Sequence, residues 1–182
     1  MILTVRRFNN KLRADFERIH SEECEAGWCH CVAWWVPTWE CFGERSAEEN
    51  ARLREELLGG GEFDGYLLHA DGDPAGWCQC GPRDRLGKLV QQFELDPDPS
   101  TYAVTCFLTV PIYRHRRFAA RLLRGALDDL EARGVHRVEA FPRRGEALDH
   151  LELWNGPEDM FLHQGFQVVK DDPLRPVLRR EL

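Results

Sequence analysis

The sequence predicts an α/β fold of the α+β type, a single domain in which helices flank a mixed central β-sheet of six to seven strands. Strand and helix patterns succeed one another along the chain, a hairpin pattern lies between them, and one long apolar strand runs directly into an amphipathic helix. A domain of 182 residues buries enough apolar surface to fold without metal or disulfide cross-links. We therefore treat residues 1–182 as one domain.

The chain begins with a strand pattern and two helix patterns. Residues 2–8 alternate enough in polarity to predict a strand, and apolar residues at helical spacing follow Asn9 and Asn10, which can cap a first helix. In a second helix, Ser46 and Glu49 form a capping box, and consecutive glycines end the helix.

Three strands are predicted in the middle of the chain. Residues 63–70 and 75–80 flank the turn-forming stretch DGDP, which predicts a β-hairpin. Residues 102–110, YAVTCFLTV, form a continuous apolar, β-branched run, as expected of a central strand covered on both faces. This strand leads straight into a basic segment.

The last third of the chain adds two helices and three strands. Apolar residues from Phe118 onward recur at helical spacing until Gly134, which occupies a C-cap position. The final elements are a strand at residues 135–141, a short helix opened by Gly156 and Pro157 and closed by Gly165, and strands at residues 166–170 and 175–182. This order of elements implies a mixed sheet covered by helices.

Charge and composition exclude several classes of protein. The net charge of -7 argues against general binding to nucleic acid or to acidic membranes, so any anionic ligand must be held locally. The N-terminus lacks the apolar core of a signal peptide, and no segment approaches the roughly 20 apolar residues of a membrane span. We expect a cytoplasmic monomer or homodimer whose seven cysteines are reduced thiols.

The segment FLTVPIYRHRRFAARLL, residues 107–123, carries the clearest functional signal. A buried strand ends there, and basic residues crowd the start of an amphipathic helix. A helix N-terminus offers unpaired N–H groups and the positive end of the helix dipole, which suit a phosphate or pyrophosphate. Arg114, Arg116 and Arg117 can add charge-assisted contacts, although such arginines also occur as a solvated helix start.

The stretch RHRRFA resembles the R-x-x-G-x-G/A turn of the GNAT acyltransferase superfamily, in which a strand precedes this turn and a Leu-rich helix follows it. Arg114 matches the first Arg and Ala119 the last small residue, whereas Arg117 stands where the family usually has its middle Gly. Glycine is favoured where a chain passes close to a ligand, so this departure bears directly on pyrophosphate binding. The order of elements extends the resemblance over nearly the whole chain.

A second motif near the C-terminus supports the resemblance. MFLHQGF, residues 160–166, is similar to the family's late short helix, in which a Tyr precedes a Gly-Phe pair by four residues. Phe161 occupies the Tyr position. That Tyr often protonates the departing thiolate of coenzyme A, and a Phe cannot donate a proton. The resemblance therefore carries the fold and the cofactor over better than the mechanism.

The resemblance implies an acetyl-CoA dependent N-acetyltransferase, with acetyl-CoA as co-substrate and an amine of a small molecule or protein as acceptor. It also implies that the sheet is splayed between the strand at residues 102–110 and the strand after Gly134, and that acetyl-CoA binds in this splay. We expect no metal, because of the cysteine spacing, and no nucleic acid or membrane as partner, because of the net charge of -7. Residues 1–101 would form the acceptor side and residues 102–182 the acyl-CoA side, with direct transfer from the thioester to the amine. The residues implied to hold acetyl-CoA are Leu108, Thr109, Val110, Arg114, His115, Arg116, Arg117, Phe118, Ala119, Ala120 and Asn155.

The predicted acceptor side contains a tryptophan-rich segment. In the family, the region between the first strand and the hairpin commonly shapes the acceptor side of the cleft. Aromatic walls can hold apolar or cationic groups, and filling of the core is an equally good interpretation. The candidate substrate contacts are Trp28, Trp34, Trp35 and Trp39. Nearby acidic residues, which suit either a cationic amine or a solvated face, are Glu22, Glu23, Glu25 and Glu40.

No residue is identified from the sequence as the general base or acid. Glu94 precedes the central strand, but a carboxylate in the stretch FELDPDP is far more often a solvated loop charge. Tyr113 and His163 have no stronger support.

The stretches AGWCHC and AGWCQC raise a metal hypothesis. Zinc sites usually use C-x-x-C, whereas C-x-C in a strand places two side chains on one face, and the match between the stretches does not extend into a repeat. We interpret Cys78 and Cys80 as one face of a strand, with Trp77 and Gln79 on the other. The zinc hypothesis would use Cys29, Cys31, Cys78 and Cys80, with Cys24, His30 and Cys41 in reserve.

Two further functions stay open. Phe161 favours a non-catalytic acyl-CoA binding or sensing module, and the seven thiols favour a metal- or redox-responsive protein. Turnover on a panel of amines distinguishes the sensor from the enzyme, since a sensor releases no free coenzyme A. Bound zinc, or a cysteine of low pKa, would support the thiol-based function.

Overall fold

The computed structural model describes residues 1–20, 27–146, 148–149 and 152–182. Its strands are β1 (Leu3–Arg7), β2 (Gly65–Ala70), β3 (Asp73–Pro82), β4 (Thr101–Thr109), β5 (Arg137–Ala140), β6 (Gln167–Lys170) and β7 (Val177–Glu181). They form one seven-stranded sheet in the order β1-β2-β3-β4-β5-β7-β6. Every neighbouring pair is antiparallel except β4 and β5, which are parallel. The predicted single domain with a mixed sheet is confirmed.

Helices flank this sheet. Those of the described residues are α1 (Arg13–Ile19), α2 (Trp39–Gly43), α3 (Ala47–Gly59), α4 (Gly87–Phe93), α5 (Phe118–Ala132) and α6 (Glu158–His163). Single turns of 3-10 helix lie at Asn10–Leu12, Gly27–Cys29, Ala33–Trp35, Arg83–Arg85 and Pro111–Tyr113. The sequence patterns predict four of these α-helices and miss α2 and α4. In the part of the chain described here, no helix is both long enough and apolar enough to cross a membrane.

Local signals position several elements as predicted. The Ser46 hydroxyl accepts a hydrogen bond from the Glu49 amide, and the Ser46 amide donates to the Glu49 carboxylate, which completes the capping box of α3. β2 and β3 join through Asp71 and Gly72, whose φ angles of 50° and 95° are the left-handed values that a tight hairpin turn requires. The predicted hairpin is confirmed, and its second strand begins earlier than predicted, at Asp73.

The sheet has an apolar core on each face. α5 covers one face, where Leu122 and Leu123 share a core with Cys78. α1 and the tryptophan-rich segment cover the other face, where Trp77 is fully buried. Alternate residues of β3 therefore enter different cores, as the sequence analysis predicts for Cys78 and Trp77.

β4 and β5 separate in the middle of the sheet. Their parallel pairing joins residues 101–104 of β4 to residues 137–140 of β5 and extends no further. Beyond it, the Phe107 amide donates to the Trp154 carbonyl at 2.6 Å, so a returning loop takes the place of β5. The sheet is therefore splayed at β4, as predicted.

A buried ion network holds β5 beside this gap. The carboxylate of Glu139 is fully buried and accepts hydrogen bonds from Arg83 at 2.9 Å and from Arg179 at 2.8 Å. Removing one partner of such a buried pair typically costs about 3–5 kcal/mol, because the other charge is left unpaired. The network therefore fixes β5 where the two strands begin to part.

Candidate active site

A cavity of about 900 Å3 lies where β4 parts from β5, and we call it the large cavity. Its lining comes from the end of β4, the start of α5, the loop at residues 153–157, and α6. Ligand pockets typically measure about 300–1,000 Å3, so the large cavity is of a size that suits a large cofactor.

The start of α5 has a left-handed backbone. Arg117 precedes the helix with φ 59° and ψ 27°, and His115 has φ 60°. Glycine adopts these angles without strain and other residues do not. Arg117 therefore keeps a backbone conformation typical of the glycine that the motif usually has, while it carries a side chain. The guanidinium group has no acceptor that could cap backbone N–H groups, so those of the first turn of α5 are available to a ligand.

Basic side chains concentrate at this end of the large cavity. Arg114, Arg117, Arg121 and Arg124 all line it, although the chain as a whole carries a net charge of -7. Arg121 and Arg124 are not among the site residues predicted from the sequence. They lie three residues apart within α5 and therefore share one helix face, and this spacing is the signal that identifies them.

Most residues predicted to hold acetyl-CoA line the large cavity, and three do not. The Val110 amide donates to the Ala75 carbonyl at 3.0 Å, and its side chain is buried in the core. Arg116 is exposed outside the lining, and Asn155 contributes to a different cavity. Those that line the large cavity are Leu108, Thr109, Arg114, His115, Arg117, Phe118, Ala119 and Ala120.

The residue at the usual tyrosine position is part of the core. Phe161 is fully buried, with its ring centre 6.0 Å from that of Phe107 and 5.3 Å from that of Phe166. Tyr113 and His163 line the large cavity. Phe161 therefore packs the apolar core and supplies no proton donor to the site.

Glu94 does not line the large cavity. It ends α4 with a left-handed φ of 51°, and its carboxylate, which is 84% exposed, pairs with Lys170 at 3.3 Å. This placement agrees with the interpretation of Glu94 as a solvated charge.

A second cavity of about 190 Å3 shares one lining residue, Trp154, with the large cavity. We call it the aromatic cavity, because aromatic side chains dominate its lining. These are Trp34, Trp39, Phe93, Phe141 and Trp154. Its polar lining residues are Gln92, Arg143, Glu152, Asn155 and Arg175.

The tryptophans predicted as substrate contacts lie in different surroundings. Trp34 and Trp39 line the aromatic cavity with their ring centres 5.2 Å apart. Trp28 is 44% exposed at the surface, and Trp35 stacks on Phe63 at 5.6 Å. Neither Trp28 nor Trp35 belongs to the lining.

Trp154 lines both cavities. Its carbonyl accepts the Phe107 amide of β4, and its ring centre lies 5.7 Å from that of Trp34. Trp154 is not predicted as a site residue, because it follows no helical or strand pattern in the sequence. The two cavities therefore share one wall residue, which lies at the splay between β4 and β5.

The cysteine side chains of the two stretches pack on opposite faces of the sheet. Cys78 and Cys80 pack on the α5 side, whereas Cys31 packs on the other side. There its sulfur lies 3.2 Å from the sulfur of Cys106 and 3.2 Å from Nε2 of His20. The four cysteines of the zinc hypothesis therefore cannot share one metal ion, and the described residues contain no group of three or more ligands able to hold one. Cys24, Glu22, Glu23 and Glu25 lie outside the described residues.

A splayed mixed sheet with a basic cavity at the start of the helix after its central strand is the architecture that the sequence motifs resemble. The model of the Acetyltransferase (GNAT) family matches residues 28–148. The chain belongs to this family of acetyltransferases. Comparison of the sequence with curated proteins gives no match.

Solved structures of the same fold cover essentially the whole chain. PaiA N-acetyltransferase from Thermoplasma acidophilum, in complex with coenzyme A, is 12% identical over 100% of both chains, with a TM-score of 0.59. YncA, a proposed acetyltransferase from Salmonella typhimurium with its cofactor acetyl-CoA, is 14% identical over 99% of this chain and 94% of that one, with a TM-score of 0.56. An acetyltransferase from Thermus thermophilus is 18% identical over 100% of this chain and 98% of its own, with a TM-score of 0.57. Likeness at these identities establishes the fold.

Proposed function

We propose that the protein transfers an acetyl group from acetyl-CoA to the primary amine of a small molecule. The observation that carries this proposal is that Trp154 lines both cavities, so a thioester in the large cavity and an acceptor in the aromatic cavity can meet. The large cavity is lined from residues 107–164, within the proposed acyl-CoA side of the chain. The aromatic cavity also draws on residues 34–93, within the proposed acceptor side.

The large cavity fits acetyl-CoA in size and in charge. We assign the pyrophosphate to the first N–H groups of α5 together with Arg114 and Arg117, since helix N-termini and guanidinium groups both favour phosphate oxygens. The pantetheine arm would face the β4 backbone at Leu108 and Thr109, which lies beyond the last pairing with β5.

When bound, acetyl-CoA supplies a thioester whose carbonyl carbon forms a bond to the acceptor nitrogen as the C–S bond breaks. The thiolate of coenzyme A departs, and the nitrogen loses a proton. The contribution of this chain is to place the amine beside the thioester and to exclude water with aromatic walls. We assign no general acid, because Phe161 carries no donor at the family's usual position.

The first test is calorimetric titration of the protein with acetyl-CoA. The double variant Arg114→Ala/Arg117→Ala should bind roughly tenfold more weakly or worse, because it loses charge-assisted contacts to the pyrophosphate. The matched control is Arg6→Ala/Arg52→Ala, which removes the same charge from exposed positions outside the cavity and should bind as wild type does. Equal losses in both double variants would show that only overall charge matters, and absence of binding to folded wild-type protein would refute the proposal.

A second candidate function is acyl-CoA binding without transfer. The buried Phe161 favours it, since the proton donor that the family commonly uses is missing. Assay of free coenzyme A with a panel of amines separates the two functions, because a binding module retains the thioester intact. The cytoplasmic setting and the monomeric or homodimeric state stay predictions.

A further inference from the structure

The size of the aromatic cavity limits the acceptor. Its volume of about 190 Å3 is only slightly larger than the roughly 150 Å3 of an engineered cavity that binds benzene. One ring with a few substituent atoms therefore fits.

Nearby charges decide which kind of group the aromatic walls favour, since such walls accept either flat apolar rings or cations. The buried ammonium group of Lys88 already lies 3.6 Å from the centre of the Trp39 ring. Arg143 and Arg175 line the cavity, and Glu152, the carboxylate of the described lining, pairs with Arg143 at 2.9 Å. Positive charge therefore predominates, which favours an anionic group over a second cation.

Three buried polar atoms of lining residues lack hydrogen-bond partners in the described structure: Trp34 Nε1, Gln92 Nε2 and Asn155 Oδ1. In Gln92 and in Asn155, the other polar atom of the side-chain amide makes a hydrogen bond that fixes the orientation of the amide. Gln92 Oε1 accepts from Trp39 Nε1 at 2.8 Å, and Asn155 Nδ2 donates to the Phe141 carbonyl at 2.8 Å. A buried group without a partner is unfavourable, so the lining favours a ligand with one acceptor group and one N–H donor.

We propose that the acceptor is a one-ring aromatic amine that carries a carboxylate. The ring stacks against Trp154, and the carboxylate accepts hydrogen bonds from Trp34 and Gln92 and faces Arg175. The amine donates a hydrogen bond to Asn155 Oδ1. Asn155 follows Trp154, the residue that lines both cavities. This inference rests on the proposed function, because the amine is the group that receives the acetyl.

An amine attached directly to the ring has a further chemical advantage. It is un-ionised at pH 7, so it attacks without first losing a proton to a base, and the carboxylate of the lining, Glu152, is engaged by Arg143. The C–N bond forms as the C–S bond breaks, and the proton lost by nitrogen balances the departing thiolate. An amine on a side chain of the ring shares the same binding groups, and the test separates the two.

The test compares coenzyme A release with 4-aminobenzoate, phenylalanine, aniline and spermidine at a fixed concentration of acetyl-CoA. We expect kcat/KM for a carboxylated aromatic amine to exceed that for aniline roughly tenfold or more, since charge-assisted hydrogen bonds distinguish them. Preference for 4-aminobenzoate over phenylalanine would place the amine on the ring, and the reverse would place it on a side chain.

Variants assign the effect to the lining. Arg175→Gln should raise KM for the carboxylated amine roughly tenfold and change KM for aniline much less, since aniline has no carboxylate. Trp34→Phe keeps a ring but removes the Nε1 donor, so it should act in the same direction and less strongly. The control is Arg6→Gln on β1, four strands away from β5 in the sheet, which should change neither substrate.

The outcomes separate this inference from the proposed function. Equal rates with aniline and 4-aminobenzoate, or a preference for spermidine, overturn the acceptor class and leave acetyl transfer intact. Absence of acetyl-CoA binding overturns the proposed function. Titration of 4-aminobenzoate into wild-type and Arg175→Gln protein then tests the carboxylate site without turnover, and equal affinities would refute it.

Discussion

Two stretches of nearly identical sequence, GWCHC at residues 27–31 and GWCQC at residues 76–80, adopt different structures. The first is a turn of 3-10 helix followed by His30 and Cys31 with φ angles of 45° and 56°. The second lies within β3 and pairs with β2 on one side and β4 on the other. A strand needs neighbouring strands as hydrogen-bond partners, so position in the fold rather than local sequence decides between the two structures.

The residue that differs between the stretches links them. Gln79 donates from Nε2 to the Cys31 carbonyl at 2.9 Å and accepts from the Thr105 hydroxyl at 2.9 Å. In the first stretch, His30 instead accepts a hydrogen bond from Arg54 at 2.8 Å. Gln79 of the second stretch therefore holds the left-handed end of the first stretch in place. Substitutions in the two stretches should change stability and reactivity by different amounts.

The largest difference in unfolding free energy should be between alanine variants of the two tryptophans. Trp77 is fully buried, with its ring 4.7 Å from that of Phe16, so Trp77→Ala should lower the free energy of unfolding by about 3–5 kcal/mol. Trp28 is 44% exposed, so Trp28→Ala should lower it by at most about 1 kcal/mol. Urea unfolding measures both, and Trp77→Phe gives an intermediate value if the alanine variant does not fold. Equal losses would contradict the assignment of Trp77 to the core.

The second largest effect on stability should come from removing the Gln79 hydrogen bonds that link the two stretches. Gln79→Leu leaves the Cys31 carbonyl and the Thr105 hydroxyl unpaired, which should cost about 2–3 kcal/mol of unfolding free energy. Gln91→Leu, at an exposed position, is the control and should change stability by less than about 0.5 kcal/mol. The double variant Gln79→Leu/Thr105→Val should lose less than the sum of its parts, because no hydroxyl is left unpaired. Strict additivity would argue against this network.

Acid should lower the stability of the protein through His20, which contacts the first stretch. Burial lowers the pKa of His20, whose Nε2 contacts Cys31, to about 3. Between that value and the unfolded pKa of about 6.5, the unfolded chain binds a proton that the folded chain does not, so stability falls as pH falls through this range. At pH 5 the loss from His20 should be about 2 kcal/mol. Urea unfolding at pH 7.5 and pH 5 measures it. His20→Gln should lose less stability between these pH values, and an unchanged difference would exclude His20 as the cause.

Thiol reactivity should distinguish the stretches without a change in stability. A hydrogen bond from Cys31 lowers the pKa of Cys29, which is partly exposed, whereas burial raises the pKa of Cys78 and of Cys80. Iodoacetamide at pH 7.5, followed by peptide mass mapping, should modify Cys29 well before Cys78 and Cys80. Exposed Cys41 is the control for reagent activity. Modification of Cys78 at the same rate as Cys29 would contradict the packing described for β3.

The sequence predicts elements whose signals are local and misses those that depend on distant contacts. The capping box at Ser46 and the apolar spacing of α5 are complete within a few turns of chain, and both are confirmed. α4 has no side-chain cap at its start, since Leu86 precedes it, and the sequence analysis misses it. Trp154 gains its place at the candidate site from a hydrogen bond with β4, which no local pattern reveals.

The side chain of Arg117 has opposite effects on the stability of the fold and on the charge of the large cavity. A non-glycine residue in that region gives up about 1 kcal/mol, and Arg117→Gly would recover it. The same change would remove one of the cations that line the large cavity. Arg117→Gly would therefore gain backbone stability and at the same time weaken the attraction of the large cavity for an anion.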